Sequence, residues 1–351
     1  MPAAREPLFF IHVPKTAGTS FREAAINRWG KKKVCYDYGD SRHTTAAVSS
    51  LIHQQRDYYA FRQHLLSKRI RMLSAHAPVK FYRRIFDAAQ LVTFLRDPVE
   101  RTISHYYTAC SKQGFTGSFE AFCNIPENQN LQTRYLQQMP PEAIGFVGLT
   151  ERFSDSIEIF NKSFGEKLRV LALNQYAGPQ ADSAGNLSER ELERAREINR
   201  EDMALYHVAR EIFETRRQLL QRNSFFTHGK IQSLKPKRIE GWALNTTENH
   251  PVHVEILQNG NILARKSATE YVAAMKERNI ARAGYVGFVH TFNEELAPED
   301  IIEVRVAETG QLLRGPRKIA ADADDRSREK SQQPQRLSVV TQFPGGKAAN
   351  E

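Results

Sequence analysis

LFFIHVPKTAGTSFREAAINRW, from Leu8 to Trp29, reads as strand, loop and helix in immediate succession. Leu8 to Val13 is an unbroken apolar run ending at Pro14, the pattern of a strand buried on both faces of a parallel sheet. The loop Pro14 to Gly18 then enters a helical stretch through Thr19 and Ser20. A loop of this kind leaves the C-terminal end of a strand and offers successive backbone N–H groups to an anion, and the helix N-terminus adds its partial positive charge. Lys15 can place a full charge there, Gly18 lets the backbone approach a ligand closely, and Thr16, Thr19 and Ser20 supply hydroxyls. The GxxxxGK[ST] order of a Walker A loop is absent, because the lysine precedes the glycine.

Outward from this unit the same alternation recurs. Residues 45 to 70 have helical spacing, and Met72 to Ser74 closes a second short strand. Leu91 to Leu95 is the clearest strand after the first. Behind it Asp97, Pro98 and Glu100 supply an N-cap, an N1 proline and a capping-box acid for a helix. Phe146 to Leu149 and Leu168 to Leu173 are further strand candidates, separated by the amphipathic SDSIEIFNKSF. Ser188 to Leu220 predicts one or two long helices. Such alternation predicts an α/β domain with a central parallel sheet covered by helices.

After Asn223 the pattern changes to IEGWALN, PVHVEIL, YVGFVHTF and IIEVRVAE, with Asn259-Gly260 and Thr309-Gly310 where hairpin turns belong. The expected organisation is an N-terminal extension over 1–7, an α/β domain over 8–222, a small antiparallel β-sandwich over 223–320 and a disordered tail over 321–351. In the β module Trp242 is the residue to consider for stacking on a sugar, although its strand-like setting favours the core.

The 351 residues suffice for two domains, and 40% hydrophobic with 26% charged residues is the composition of a globular protein. The formal charge of +10 favours anionic partners without choosing among them. Cys35, Cys110 and Cys123 form neither an even framework nor a CxxC metal spacing, which fits a reducing compartment. No apolar run reaches the length of a secretory h-region or a membrane span, so the chain reads as cytoplasmic.

A second anion-binding signal is LVTFLRDPVERTISHYY. Arg96 stands where a strand becomes a loop and Ser104 follows on the next helix, so guanidinium and hydroxyl can converge on one phosphate. The plain alternative pairs Arg96 with Asp97 or another nearby carboxylate and leaves Ser104 an ordinary helix residue. His76, in SAHAPVKFY, follows the second strand and is a candidate base. His12 and His105 flank the two phosphate segments, while nothing distinguishes His43, His53 and His64 from solvated surface. Lys31 to Lys33, Arg69 with Arg71, and Lys80 with Arg83 and Arg84 would favour an anionic acceptor if they border the cleft.

Together, HVPKTAGTS and RDPVERTIS resemble the 5′-phosphosulfate loop and the 3′-phosphate motif of sulfotransferases that use 3′-phosphoadenosine 5′-phosphosulfate (PAPS). The resemblance is to the branch containing the heparan sulfate 2-O-sulfotransferases and related bacterial enzymes. NLQTRYL at 130–136, GLTERF at 148–153 and the pattern around Asn199, Asp202, Leu205 and Tyr206 are similar to the same branch, and the similarity covers roughly residues 8 to 220. It implies a three-layer, P-loop kinase-like domain and transfer of a sulfuryl group from PAPS to an acceptor hydroxyl, with 3′-phosphoadenosine 5′-phosphate (PAP) as product. Residues Pro14, Lys15, Thr16, Ala17, Gly18, Thr19 and Ser20 would hold the phosphosulfate, and Arg96 with Ser104 the 3′-phosphate. Lys15 and His76 would be the catalytic pair, with Ala75 standing where many relatives have glycine before the histidine. A saccharide acceptor is expected, with no nucleic acid partner and no required metal. The rival readings are a P-loop-type kinase or ATPase, which would need magnesium, and a non-catalytic nucleotide- or glycan-binding module.

Overall fold

The computed structural model describes residues 6–137, 139–170, 187–246, 250–278, 280 and 282–319. The described residues divide into two compact units, those of 6–225 with 278 and 280, and those of 226–277 with 282–319.

The first unit runs β1 (Leu8–Ile11), α1 (Gly18–Trp29), β2 (Val34–Asp37), α2 (Ala46–Val48) continuing into a π-helical turn (Ser49–Gln54), α3 (Tyr58–Ser67), β3 (Met72–Ala75), β4 (Leu91–Leu95) and α4 (Pro98–Gln113). It continues through α5 (Phe119–Cys123), α6 (Leu131–Leu136), β5 (Phe146–Leu149), α7 (Phe153–Phe164), α8 (Glu189–Ile198) and α9 (Arg200–Gln221). The five strands form one sheet in the order β2-β3-β1-β4-β5, and every pairing is parallel. All four residues of β1 are buried, which is why LFFI shows no polar alternation. Phe10 packs on Phe21 of α1 and on Phe94 of β4, so the first helix and central strands share one aromatic core.

The order has a functional consequence. The chain leaves β1 for the far edge at β2, returns to place β3 between them, then passes β1 to start β4 on its other side, so the direction of the connections reverses at β1. Ligands of open parallel sheets lodge at such a reversal, outside the carboxyl ends of the strands. The loops after β1, β3 and β4 carry Lys15, His76 and Arg96, and these strands are immediate neighbours.

The parallel α/β architecture is as the sequence predicts, with local differences. Val34–Asp37, between a lysine run and a polar loop, is a strand that the sequence reading did not anticipate. No strand forms over Leu168–Val170, and the remainder of that expected strand, like the tail expected over 321–351, lies outside the described residues.

The second unit contains β6 (His228–Lys235), β7 (Arg238–Leu244), β8 (His253–Gln258), β9 (Asn261–Ser267), β10 (Glu270–Tyr271), α10 (Ala273–Glu277), β11 (Tyr285–Thr291) and β12 (Ile302–Val306). Two antiparallel sheets, β10-β11-β7-β6 and β12-β8-β9, contribute Ile231, Ile239, Val254, Ile256, Phe288, Val304 and Val306 to one core. Asn259 and Gly260 turn the β8–β9 hairpin with φ of 51° and 82°, the left-handed pair such a turn requires. Trp242 is wholly buried, so it packs in the core and cannot stack on a ligand.

Candidate functional site

The loop after β1 takes its shape from two left-handed residues, Lys15 at φ 70° and Ala17 at φ 60°. Thr16 between them is fully buried, and its hydroxyl donates to the Val13 carbonyl at 2.9 Å. That hydroxyl staples the loop. Gly18 has a reason beyond the one the sequence suggests. A Cβ there would lie 2.0 Å from Cδ2 of His12, so glycine makes room for a packed imidazole. Pro14, Lys15, Ala17 and Ser20 are half-buried, Gly18 is buried and Thr19 is exposed. No side chain caps the N-terminus of α1, whose N-cap residue is Ala17.

Lys15 faces the RDPVERTIS segment. Burial lowers the affinity of its amine for a proton, and the nearby charges of Arg96 and Lys112 lower it further. Lys15 in turn contributes to the depression of His105, which burial first and Arg101 second bring down to about 4. Lys15, beyond the end of β1, thus lies within electrostatic reach of Arg96, beyond the end of the adjoining β4. Ser104 is buried on α4, and its hydroxyl has no partner among the described residues. An orphan hydroxyl on the helix that follows Arg96 suits an anionic ligand.

Arg96 carries the carboxylate contact that the plain alternative foresees. Its Nη2 lies 3.5 Å from Oε2 of Glu100. Glu100 does not close a capping box. Asp97 caps α4 alone, accepting from the N–H groups of Val99 at 3.0 Å and Glu100 at 3.1 Å. The Asp97 N–H goes instead to Oε1 of Glu151 at 2.7 Å, and the Tyr206 hydroxyl donates to Oε2 of the same carboxylate at 2.9 Å. Glu151, Arg152, Tyr206, Arg210 and Phe213 also line a cavity of about 640 Å³.

The backbone of Arg96 is clamped from α6. Gln132 accepts from its N–H and donates to its carbonyl, both at 2.9 Å. α6 has a left-handed Asn130 at its N-cap and is capped from elsewhere in the chain: Asp202 accepts from the N–H groups of Gln132 at 3.0 Å and Thr133 at 2.7 Å. Asn130 returns the cap, its Oδ1 accepting from Glu201 at 3.0 Å and Asp202 at 3.2 Å at the start of α9. Asn199 donates to the Thr102 hydroxyl of α4 at 2.9 Å. NLQTRYL, GLTERF and the Asn199–Tyr206 pattern are thus parts of one hydrogen-bonded frame around the Arg96 turn. Sequence similarity flagged these segments without giving them this role.

His76 follows β3. Its ring lies 4.0 Å from that of His12 and 5.1 Å from that of Tyr38, and Tyr135 of α6 reaches its carbonyl at 3.5 Å. Burial above all, then the charge of Arg22, bring the His76 imidazole down to about 4, against a hydrogen bond to the His12 backbone and the Asp37 carboxylate, which pull the other way. His12 is held well below its usual range by burial, His76 and Arg22. Both rings are neutral at physiological pH.

Asp37, at the end of β2, anchors this side. Its carboxylate accepts from the Tyr82 hydroxyl at 2.5 Å, the Gly39 N–H at 2.9 Å and His53 Nε2 at 2.9 Å, while its carbonyl accepts from the His76 N–H at 3.1 Å. His53 is therefore not solvated surface. Asp37 itself gave no signal in the sequence, where it is one acid in a polar loop. His43 packs edge-on against Tyr38, and His64 stacks on Phe61 away from these groups. Lys31–Lys33 and Arg69 with Arg71 precede β2 and β3, so they sit at the opposite end of the sheet from Lys15 and do not border its cleft. Lys80, Arg83 and Arg84 follow β3 and share its C-terminal end.

The family described as "Sulfotransferase family" matches residues 2–138, a stretch that holds both phosphate-loop segments and His76. No curated protein matches the chain. Among solved structures, mouse sulfotransferase SULT7A1 complexed with PAP is 11% identical, with 54% of this chain and 67% of that chain covered and a TM-score of 0.32. A sulfotransferase from Alicyclobacillus acidocaldarius is 16% identical, with 56% and 96% covered and a TM-score of 0.31. Among the described residues no helix is long and apolar enough to cross a membrane.

Proposed function

We propose that the first unit transfers a sulfuryl group from PAPS to an acceptor hydroxyl, and that the acceptor is a saccharide. The observation that supports the reading is the electrostatic proximity of Lys15 and Arg96 at the ends of the adjoining strands β1 and β4, with the orphan Ser104 hydroxyl on the helix that follows and His76 one strand away. This set of cationic and hydroxyl groups fits a donor with negative charge at both its 5′ and 3′ ends. The saccharide rests on the resemblance to the 2-O-sulfotransferase branch.

Arg96 and Ser104 hold the 3′-phosphate. The uncapped first turn of α1 and Lys15 hold the phosphosulfate. His76, a neutral imidazole, takes the proton of the acceptor hydroxyl as its oxygen bonds to sulfur. The bond from sulfur to the bridging oxygen breaks in line, and the electron pair stays on that oxygen, now part of PAP. Lys15 stabilises this growing charge, the kind of interaction that contributes most to such reactions. No covalent enzyme intermediate is involved.

Calorimetric titration with PAP and with ATP, in EDTA and then with magnesium, tests the donor site. Metal-free binding that prefers PAP and weakens about 10- to 100-fold in Arg96→Ala is expected, because a charge-assisted bidentate contact is lost. Transfer from PAPS to an oligosaccharide panel should fall about 10²- to 10³-fold in Lys15→Ala and about 10²- to 10⁴-fold in His76→Asn, with PAP binding in His76→Asn unchanged. Preference for ATP, dependent on magnesium, would overturn the reading in favour of a kinase.

A further inference from the structure

Arg22 lies one turn into α1, outside both phosphate segments, and its side chain is only 15% exposed. One terminal nitrogen donates to the hydroxyl of Tyr38, the other lies 3.5 Å from Glu23, and the guanidinium sits 5.7 Å from the centroid of the Tyr36 ring. Its Nε is buried with no partner among the described residues. An arginine on a helix surface ordinarily extends its head into water. This one is drawn over the ends of β2 and β3 despite a donor left unmade, which is destabilising. What the arrangement gains lies at the groups it faces. Tyr38, which holds the guanidinium, lies against His76, which in turn lies against His12.

We propose that Arg22 is a positioning residue for His76, seating the imidazole through Tyr38 and setting a fixed positive charge beside it, so that the ring waits as a neutral proton acceptor. The inference rests on His76 being the base. The groups facing His76 are His12 from β1, Arg22 from α1, Asp37 and Tyr38 from β2, and Tyr135 from α6. Asp37 is the full negative charge among them and favours the imidazolium, which has no lone pair to accept the hydroxyl proton. Arg22 opposes Asp37, and it acts in the same direction on His12. The adjoining pair therefore stays uncharged beside a carboxylate. Removing the guanidinium raises the proton affinity of His76 and moves the acidic limb of the rate profile to higher pH.

The test joins histidine-selective NMR titration of the full chain to the pH profile of kcat/KM, for wild type, Arg22→Gln, Arg22→Lys and Tyr38→Phe, with circular dichroism confirming the fold at each pH. The His76 signal is identified by its loss in His76→Asn. Arg22→Gln should shift the His76 titration and the acidic limb upward together, so that activity at about pH 5 falls at least about twofold further below its pH 8 level than that of the wild type. Arg22→Lys should restore both positions. Tyr38→Phe should leave the titration in place and lower kcat several-fold, with PAP affinity unchanged. If Arg22→Gln does not fold, Arg22→Met, which keeps the stem over Tyr36 and removes the charge, is read in the same way. An unmoved His76 titration, or an equal loss at every pH that lysine does not rescue, overturns the proposal. Full activity in His76→Asn would remove the base from the proposed function, and the NMR titration would then decide separately whether Arg22 holds the imidazole.

Discussion

Arg96, proposed to bind the 3′-phosphate, is held by a carboxylate that would compete with that ligand. Its guanidinium stands 3.5 Å from Glu100, which is 43% exposed, and ion pairs so open to water are worth little. A 3′-phosphate offers Arg96 more charge, a bidentate geometry and a second partner in Ser104, so the two anions exchange rather than coexist. Glu100→Gln should therefore tighten PAP binding about two- to fivefold by calorimetry, an effect of the size of an exposed pair. Because Glu100 closes no capping box, the same variant should leave the denaturation midpoint within about 0.5 kcal/mol of wild type. Weaker PAP binding would mean instead that Glu100 orients Arg96. Sequence foresaw both partners of Arg96 and could not choose, since the choice turns on which rotamer a carboxylate one helical turn away adopts. At Gly18 it missed one reason for glycine: the imidazole that forbids a Cβ lies six residues earlier, and only the fold brings it across.

Among elements, α6 depends most on distant partners. It has six residues and no side-chain cap of its own, yet it carries Gln132, which clamps Arg96, and Tyr135, which reaches His76. Its N-terminus is held by Asp202, wholly buried on α9 and 70 residues away from Gln132. Asp202→Ala leaves two N–H groups without an acceptor and should cost about 2–4 kcal/mol in urea denaturation. PAP affinity should fall with it, because the Arg96 turn loses its clamp. Loss of PAP binding at unchanged stability would instead place Asp202 at the ligand. Here lies the boundary of what the sequence reveals. β1, β3, β4 and β5 were legible because strands buried on both faces are continuous apolar runs, and the loops after β1 and β4 because strand-to-helix turns keep their residues adjacent. β2 is too short and too polar at its flanks to declare itself. Reciprocal caps between α6 and α9, or the Asp37 anchor under His76, have no local spacing at all, since their geometry exists only after the sheet has formed.

At the scale of the whole molecule, the burial that shapes the site makes the fold sensitive to acid. His12, His76 and His105 are all depressed chiefly by burial, the last two to about 4. In the unfolded chain these rings titrate near their ordinary value of about 6.5, so a proton binds the unfolded state more tightly and protonation favours unfolding. Their contribution to stability is whole above about pH 6.5 and is lost as pH falls towards 4, on the order of 1–2 kcal/mol each for His76 and His105 by pH 5. Guanidinium midpoints should therefore drop between about pH 7.5 and pH 5 by far more than a surface histidine could cause. His105→Phe, which keeps an aromatic ring against Phe122, should narrow the gap between the two midpoints. Equal midpoints at both pH values would show that these rings take up protons within the fold. Arg22→Gln, which raises the proton affinity of His76, should likewise narrow the gap while moving the catalytic limb the opposite way, towards higher pH. One positive charge, adding to the effect of burial, would then move both quantities, because keeping His76 unprotonated is at once what the proposed reaction requires and what makes the fold vulnerable to acid.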